Sequence, residues 1–447
     1  MFALPPEQLA AQFQTLSQAL LNELQADEHL FLAIRGENSQ FIRFNQAKVR
    51  QTGTVSDAQL TLTLIHNERT AQASLPFTSN PELDLSRSRY ALHQLRQELP
   101  QLPPDPYIVL PQNFGSSRDY HPGQLLEPET AVTAILAPVQ DLDFTGLYAG
   151  GLIFRGNSNS AGQHHWFATE TFTLDYSLIT GTGKAVKAIQ AGSVWSESRY
   201  QAQIAAARPQ LQILEQPGKT ILPGQYRTYL APAATAELVG MLSWGAVSEA
   251  ALRQGESAFA PLRDGKHLSP KFSLSENFRH GQVPRFNDQG EFAPEELPII
   301  ASGRLVNTLV NSRTAKEYGL DSNGAAASEG LRAPEVGVGQ LNAAEVLKNL
   351  NTGLYLSNLH YLNWSDRPQG RITGMTRYAC FWVEAGEIVA PIQDLRFDES
   401  LYNCFGENLV DLTQTQDYIA HTDTYEHRAL GGSLVPGLLV DNFTFTL

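Results

Sequence analysis

The chain has 447 residues, of which 42% are apolar and 17% charged, and it carries a formal charge of −14. That length and apolar content build two or three folded domains and exclude an intrinsically disordered chain. The acidic balance excludes nucleic acid and anionic membranes as partners, since both need clustered Lys and Arg.

In chain order, Leu9, Phe13, Leu16, Leu20 and Leu24 recur every three or four residues and predict an amphipathic helix opened by Pro5 and Pro6. Two short apolar runs, at 30–35 and 41–44, and the alternation at 59–65 predict antiparallel strands of one sheet. A second helix is predicted over 81–99, with Leu85, Leu92, Leu95 and Leu99 inward. Residues 1–105 therefore form an α+β domain that ends in a stiff, proline-rich linker at 100–106.

The central segment, 106–215, is mixed. A short helix is predicted at 130–138 and a strand-rich region from 143. A strand at 164–176 places Trp166, Ala168, Phe172, Leu174 and Tyr176 on one face and Thr169, Thr171 and Thr173 on the other. A helix at 200–214 is broken or kinked at Pro209. The last unit, 216–447, opens with a strand at 226–230 and a helical run at 235–250. Short glycine-punctuated strands follow, and they predict a β-rich barrel or sandwich. The fold class expected is α+β.

Two cysteines, Cys380 and Cys404, do not make a disulfide scaffold and suit a reducing cytosol. The first 24 residues lack the basic start and unbroken apolar core of a signal peptide, and no apolar run is long enough to span a membrane. A soluble cytoplasmic protein is expected.

Several spaced blocks then agree in order. They are Gly290, the run 298–307, the stretch from Asn311 to Gly319, and a turn–strand–hairpin from Thr373 to Ile388 followed by Pro391, Ile392 and Leu395-Arg396-Phe397. Together they resemble the TldD/PmbA family of metallopeptidases, also called the TldD–TldE family, over roughly residues 216–447. The first half fits more loosely, through Val49-Arg50 and its strand pattern.

The resemblance implies a split family. One branch carries a helical HExxxH and a cysteine near its C-terminus as zinc ligands. The other, TldE/PmbA-like, lacks these ligands and pairs with the active subunit to enclose a chamber for unfolded peptides. In this chain Ser243, Trp244 and Ser248 stand where the motif's first histidine, glutamate and second histidine are expected. Hydroxyls are poor zinc ligands at neutral pH, and an indole cannot act as a general base. No HExxH or HExxxH occurs anywhere, and no histidine lies between His165 and His267.

His427 falls near the cysteine position. It either replaces a thiolate ligand, with His421 or Glu426 beside it, or is a turn histidine. His164 and His165 cannot share a metal on a regular strand, because neighbouring side chains face opposite ways. Asp141 and Asp143 share a strand face, either as paired carboxylates or as solvated turn residues.

The branch without ligands is the closer match. It implies a subunit with no metal of its own, zinc in a partner, and an HExxxH-bearing relative or a second copy as that partner. Peptide contacts are expected from Arg377, Phe381, Trp382 and His165, because extended peptides bind by adding to sheet edges. An independent metallopeptidase with atypical ligands and a non-enzymatic peptide-binding scaffold are the alternatives.

Overall fold

The computed structural model describes residues 4–446. Helix α1 (Pro6–Leu21) begins at the expected prolines, where a missing N–H costs no helical hydrogen bond. It buries Leu9, Phe13, Leu16 and Leu20. Strands β1 (His29–Asn45), β2 (Lys48–His66) and β3 (Arg69–Pro76) follow as a meander. The two apolar runs expected as separate strands are one strand. The polar stretch between them, Glu37 to Gln40, is paired with β2 on one side and with β5 (Asp143–Asn159) on the other, so its backbone groups are satisfied. Both turns of the meander are two-residue turns in the left-handed region, at Gln46-Ala47 and Asn67-Glu68.

Helix α2 (Pro81–Glu98) is capped by the Asn80 side chain. The chain then adds β4 (Ser116–His121), helix α3 (Pro128–Leu136), β5, β6 (His164–Ile179), β7 (Ala185–Gly192) and helix α4 (Glu197–Leu214). Helix α4 runs through Pro209. The sheet order is β3-β2-β1-β5-β6-β4, with β7 also on β6. Every pair is antiparallel except β4 with β6. One sheet thus crosses residue 105 and draws four strands from the segment 106–215.

All four helices cover the same face. Leu30, Leu32 and Ile34 of β1 share a core with α1 and α2, while Ile42 and Phe44 of that strand share one with α3 and α4. A fully buried Phe13 contributes roughly 2–3 kcal/mol to this packing. The odd-numbered residues of β1, from Phe31 to Arg43, point to the uncovered face.

The C-terminal part is a mixed, 13-stranded sheet, and no closed barrel forms among the described residues. At its centre the strand Gly432–Phe445 runs antiparallel to Gly224–Leu230, which is parallel to Gly353–Leu356. Helix α5 (Pro232–Ser243) packs on this centre. Among the described residues no helix is long and apolar enough to cross a membrane.

The two sheets meet along a seam with three ties. Arg428, in the loop before the last strand, is buried against the uncovered face of the first sheet. Its guanidinium donates to the Thr171 carbonyl (2.6 Å) and the Gly151 carbonyl (2.7 Å), and its backbone N–H donates to Glu37 (3.0 Å). Asn157 and Gln163 donate to the carbonyls of Asp288 and Gln289. Gly290 is obligatory there: a Cβ would sit 1.6 Å from the Gln163 amide nitrogen, and its φ is +81°. His165 is buried between Phe286 and Phe292, with ring centroids at 5.1 and 4.6 Å, and its Nδ1 lies 3.0 Å from the Ser117 hydroxyl.

Two predictions test this seam. Arg428→Met strands two buried carbonyls and takes away the positive charge beside Glu37, whose bond from the backbone N–H remains, and is expected to cost about 2–4 kcal/mol in urea unfolding. A loss below the error of the measurement would refute the tie. Burial lowers the His165 pKa from 6.5 to about 4. Between those values the unfolded chain binds the extra proton, so the stability contributed is complete above 6.5 and drains as pH falls toward 4. His165→Gln is expected to flatten the urea midpoint over that interval relative to the parent; parallel curves would show that the histidine does not titrate on unfolding.

Candidate functional site

The uncovered face of the first sheet and the C-terminal part enclose a groove. Its largest compartment, about 880 Å³, is floored by Phe31, Ala33, Arg35, Thr61, Thr63 and Arg155. The opposite wall comes from Phe286 to Gln289, Asn311, Arg313 and the loop from Ala325 to Ala327. The linker closes one side: Asp105 accepts from Arg313, and the Ile108 carbonyl accepts from Lys316 at 2.7 Å. A second compartment, about 160 Å³, shares Arg35, Gln59 and Arg155 with the first and adds Glu37, Glu426, His427 and Arg428. A third, about 750 Å³, lies further along β1 at Phe41 and Arg43, with Thr424 on its wall. The segment 424–428 therefore crosses the groove between its two large compartments.

Charge in this groove is uneven. Arg313 is paired with Asp105, and Arg332 is spent on four backbone carbonyls of the segments 284–286 and 324. Arg35 and Arg155 face each other directly across β1 and β5. Arg35 donates to Gln59 (3.0 Å) and Arg155 to the Phe154 carbonyl (2.8 Å), and neither forms an ion pair among the described residues. Burial, and then the neighbouring Arg35, lower the Arg155 pKa to about 10.

The degenerate motif lies behind the groove wall. The expected helical run breaks: α5 ends at Ser243, and a short helix α6 (Glu249–Arg253) starts after Ser248. The Ser243 hydroxyl accepts from the Leu331 N–H at 2.8 Å. The Ser248 hydroxyl donates to Glu329 at 2.6 Å and caps α6 by accepting from Ala251. Glu329 also accepts from the Ala250 and Asn311 N–H groups. Both serines thus hold the three-residue segment 329–331, which fills the space in front of them. Trp244 is exposed, with Arg367 over its ring at 5.7 Å. At the first position of α6, burial alone would raise Glu249, but Arg263, Thr308 and Arg253 outweigh it and hold the carboxyl below its usual range.

Zinc does not fit these residues. Among the described residues no three His, Cys, Asp or Glu side chains converge to hold a metal ion. His427 lines the small central compartment, whereas His421 lines a different cavity beside Thr171. Burial lowers the His427 pKa, and Arg35 and Arg155 lower it further. Those same charges repel a divalent cation.

The other expected residues are spread out. His164 and His165 do face opposite ways, toward Phe13 and toward Phe286. Phe381 is buried in the core beneath α4, Trp382 is half-buried under Lys219 at 4.4 Å, and exposed Arg377 pairs with Asp394 at 3.6 Å. None of these three lines the groove. Asp141 pairs with Arg208, which holds its carboxyl down at about 2. Burial pushes the Cys380 thiol up to about 11 and the Cys404 thiol up as well. The groove residues Arg35, Arg155 and Arg428 carried no motif. The one signal for Arg35 and Arg155 was a charged residue inside or just after an apolar strand run, and Arg428, in a polar loop, gave none.

In sequence, residues 223–447 match the family of the PmbA/TldA metallopeptidase C-terminal domain. In fold the chain is similar to TldE from Thermococcus kodakarensis, with a TM-score of 0.76 and 14% identity over 98% of this chain and 100% of that one. It is equally similar to a candidate modulator of a DNA gyrase from Thermotoga maritima (TM-score 0.76, 16% identity, 98% and 100% covered). A candidate gyrase modulator from Bacteroides thetaiotaomicron gives 0.75 at 15% identity, with 98% of each chain covered. No curated protein matches the sequence. With half of its residues in the family match and this fold over nearly its whole length, the chain belongs to the PmbA/TldD metallopeptidase family.

Proposed function

We propose that the chain is a TldE-like subunit without hydrolytic chemistry of its own, which completes the peptide chamber of a zinc-bearing TldD-like partner in the cytoplasm. One observation carries this reading: Ser243 and Ser248, the residues expected at the motif's two histidine positions, are bonded to the segment 329–331, beside a wide groove. A peptidase site needs a metal or nucleophile and a base. The groove instead offers a long floor of side chains from one face of the sheet, along which a chain can lie extended and be read by side-chain contacts. The alternative of a self-sufficient metallopeptidase finds no converging ligands among the described residues. Arg377 and Trp382, away from the groove, are proposed as a second contact surface for peptide or partner.

Purified chain, an HExxxH-bearing relative from the same genome, and their mixture are compared on unfolded casein with metal analysis. Cleavage by the mixture, zinc only in the relative, and a stable complex of the two are expected. Unaided cleavage by this chain with stoichiometric zinc would overturn the proposal. A second measurement concerns Ser243→His, Trp244→Glu and Ser248→His made together. This triple variant is expected to gain no stoichiometric zinc and to unfold at lower urea, because the segment 329–331 loses its anchors and still occupies the site. Tight zinc in that variant would show that the backbone is ready for the metal.

A further inference from the structure

We propose that Arg35 and Arg155 form a carboxylate-reading site in the groove, which selects peptides bearing an acidic side chain or a free C-terminus. This rests on the chamber reading and names the chemistry of its substrate. Like charges directly opposite each other on neighbouring strands destabilise a sheet. Arg35 and Arg155 are such a pair. An Arg–carboxylate contact is the usual remedy, and this chain is rich in carboxylates, yet neither guanidinium is given one among the described residues. Arg155 is half-buried and has one carbonyl for a partner, and the residue lines the cavity with donors to spare. Both residues line the wall shared by two compartments, where a bound chain would pass.

The flanking groups set the size of the charge. Glu37 lies two residues along β1 from Arg35 on the same face, with one oxygen accepting from the Arg428 N–H and the other unpartnered. Asp288 lines the larger compartment, and exposed Asp57 and Glu426 line the smaller. These carboxylates disfavour a phosphate dianion more than a single carboxylate charge. The planar guanidinium fork matches a carboxylate in two parallel hydrogen bonds.

The test is direct binding to the full chain alone, by fluorescence anisotropy. The probes are a labelled glutamate-containing peptide and its glutamine twin, each as free acid and as C-terminal amide. The glutamate form is expected to bind about tenfold tighter than the twin, the difference made by one charged hydrogen-bonded contact. The acid and amide arms separate side-chain from C-terminal recognition. Arg35→Gln, at an exposed position, is expected to erase the preference while raising thermal stability, since it relieves the repulsion; a purely structural residue would not give both. Arg155→Gln is the second variant. Equal binding of all probes, or a preference kept in Arg35→Gln, would overturn the site and leave the chamber standing. Binding of no probe would count against the chamber itself. Inorganic phosphate is expected to compete poorly; displacement as effective as that by the glutamate peptide would make this a phosphate site and sink the proposal.

Discussion

Insertion of Arg428 into the face of the first sheet is the contact on which the arrangement of the molecule depends. A guanidinium taken out of water is costly unless its donors are met. Here the two terminal nitrogens are met by the strand carbonyls of Thr171 and Gly151, and Nε alone is left without a partner among the described residues. Gly151 can serve because a Cβ there would lie 2.2 Å from the Asn38 carbonyl, so only glycine lets β5 approach β1 at this point. Burial pulls the Arg428 pKa down to about 10, which leaves it charged near neutrality. The last segment of the chain is thereby fixed to a sheet built from the first half, and the groove between the two sheets has a defined width.

Around that fixed geometry, Ser243 and Ser248 act as scaffolding. Ser243 and Ser248 are small enough to let the segment 329–331 pack against the end of α5, and their hydroxyls satisfy buried groups of that segment. Glu329, buried and with a φ of +50°, links α6 to the helix at Ser312–Tyr318 by accepting from both neighbourhoods. A carboxylate with that many donors is held in one geometry, and rigid walls suit a site that positions a chain. The proposed division of labour, with the metal in one subunit and the shape in the other, asks only such rigidity of this chain.

Much of the fold was legible in the residues, and the groove was not. The helices at 6–21 and 81–98 and the two-faced strand 164–179 follow from apolar spacing and capping residues that act locally. The union of 30–35 and 41–44 into one strand was hidden, because Glu37 to Gln40 look like a turn until both neighbouring strands are present. The break between α5 and α6 was hidden for a similar reason: the tie from the serines to 329–331 spans about eighty residues of chain. The lack of an HExxxH could be seen in sequence because residue type and spacing alone decide that question. Arg35 opposite Arg155 could not, since cross-strand register exists only once the sheet is formed.

The strap formed by residues 424–428 has a consequence for whatever lies in the groove. It separates the compartment at Phe31 from the one at Phe41, positions ten residues apart on β1. At strand spacing that interval is about 33 Å. An extended chain following β1 must therefore duck beneath the strap or stop at it. For the peptide proposed to bind here, each half of the groove would be a gauge for its own length of polypeptide, and a folded domain at either end would be held outside.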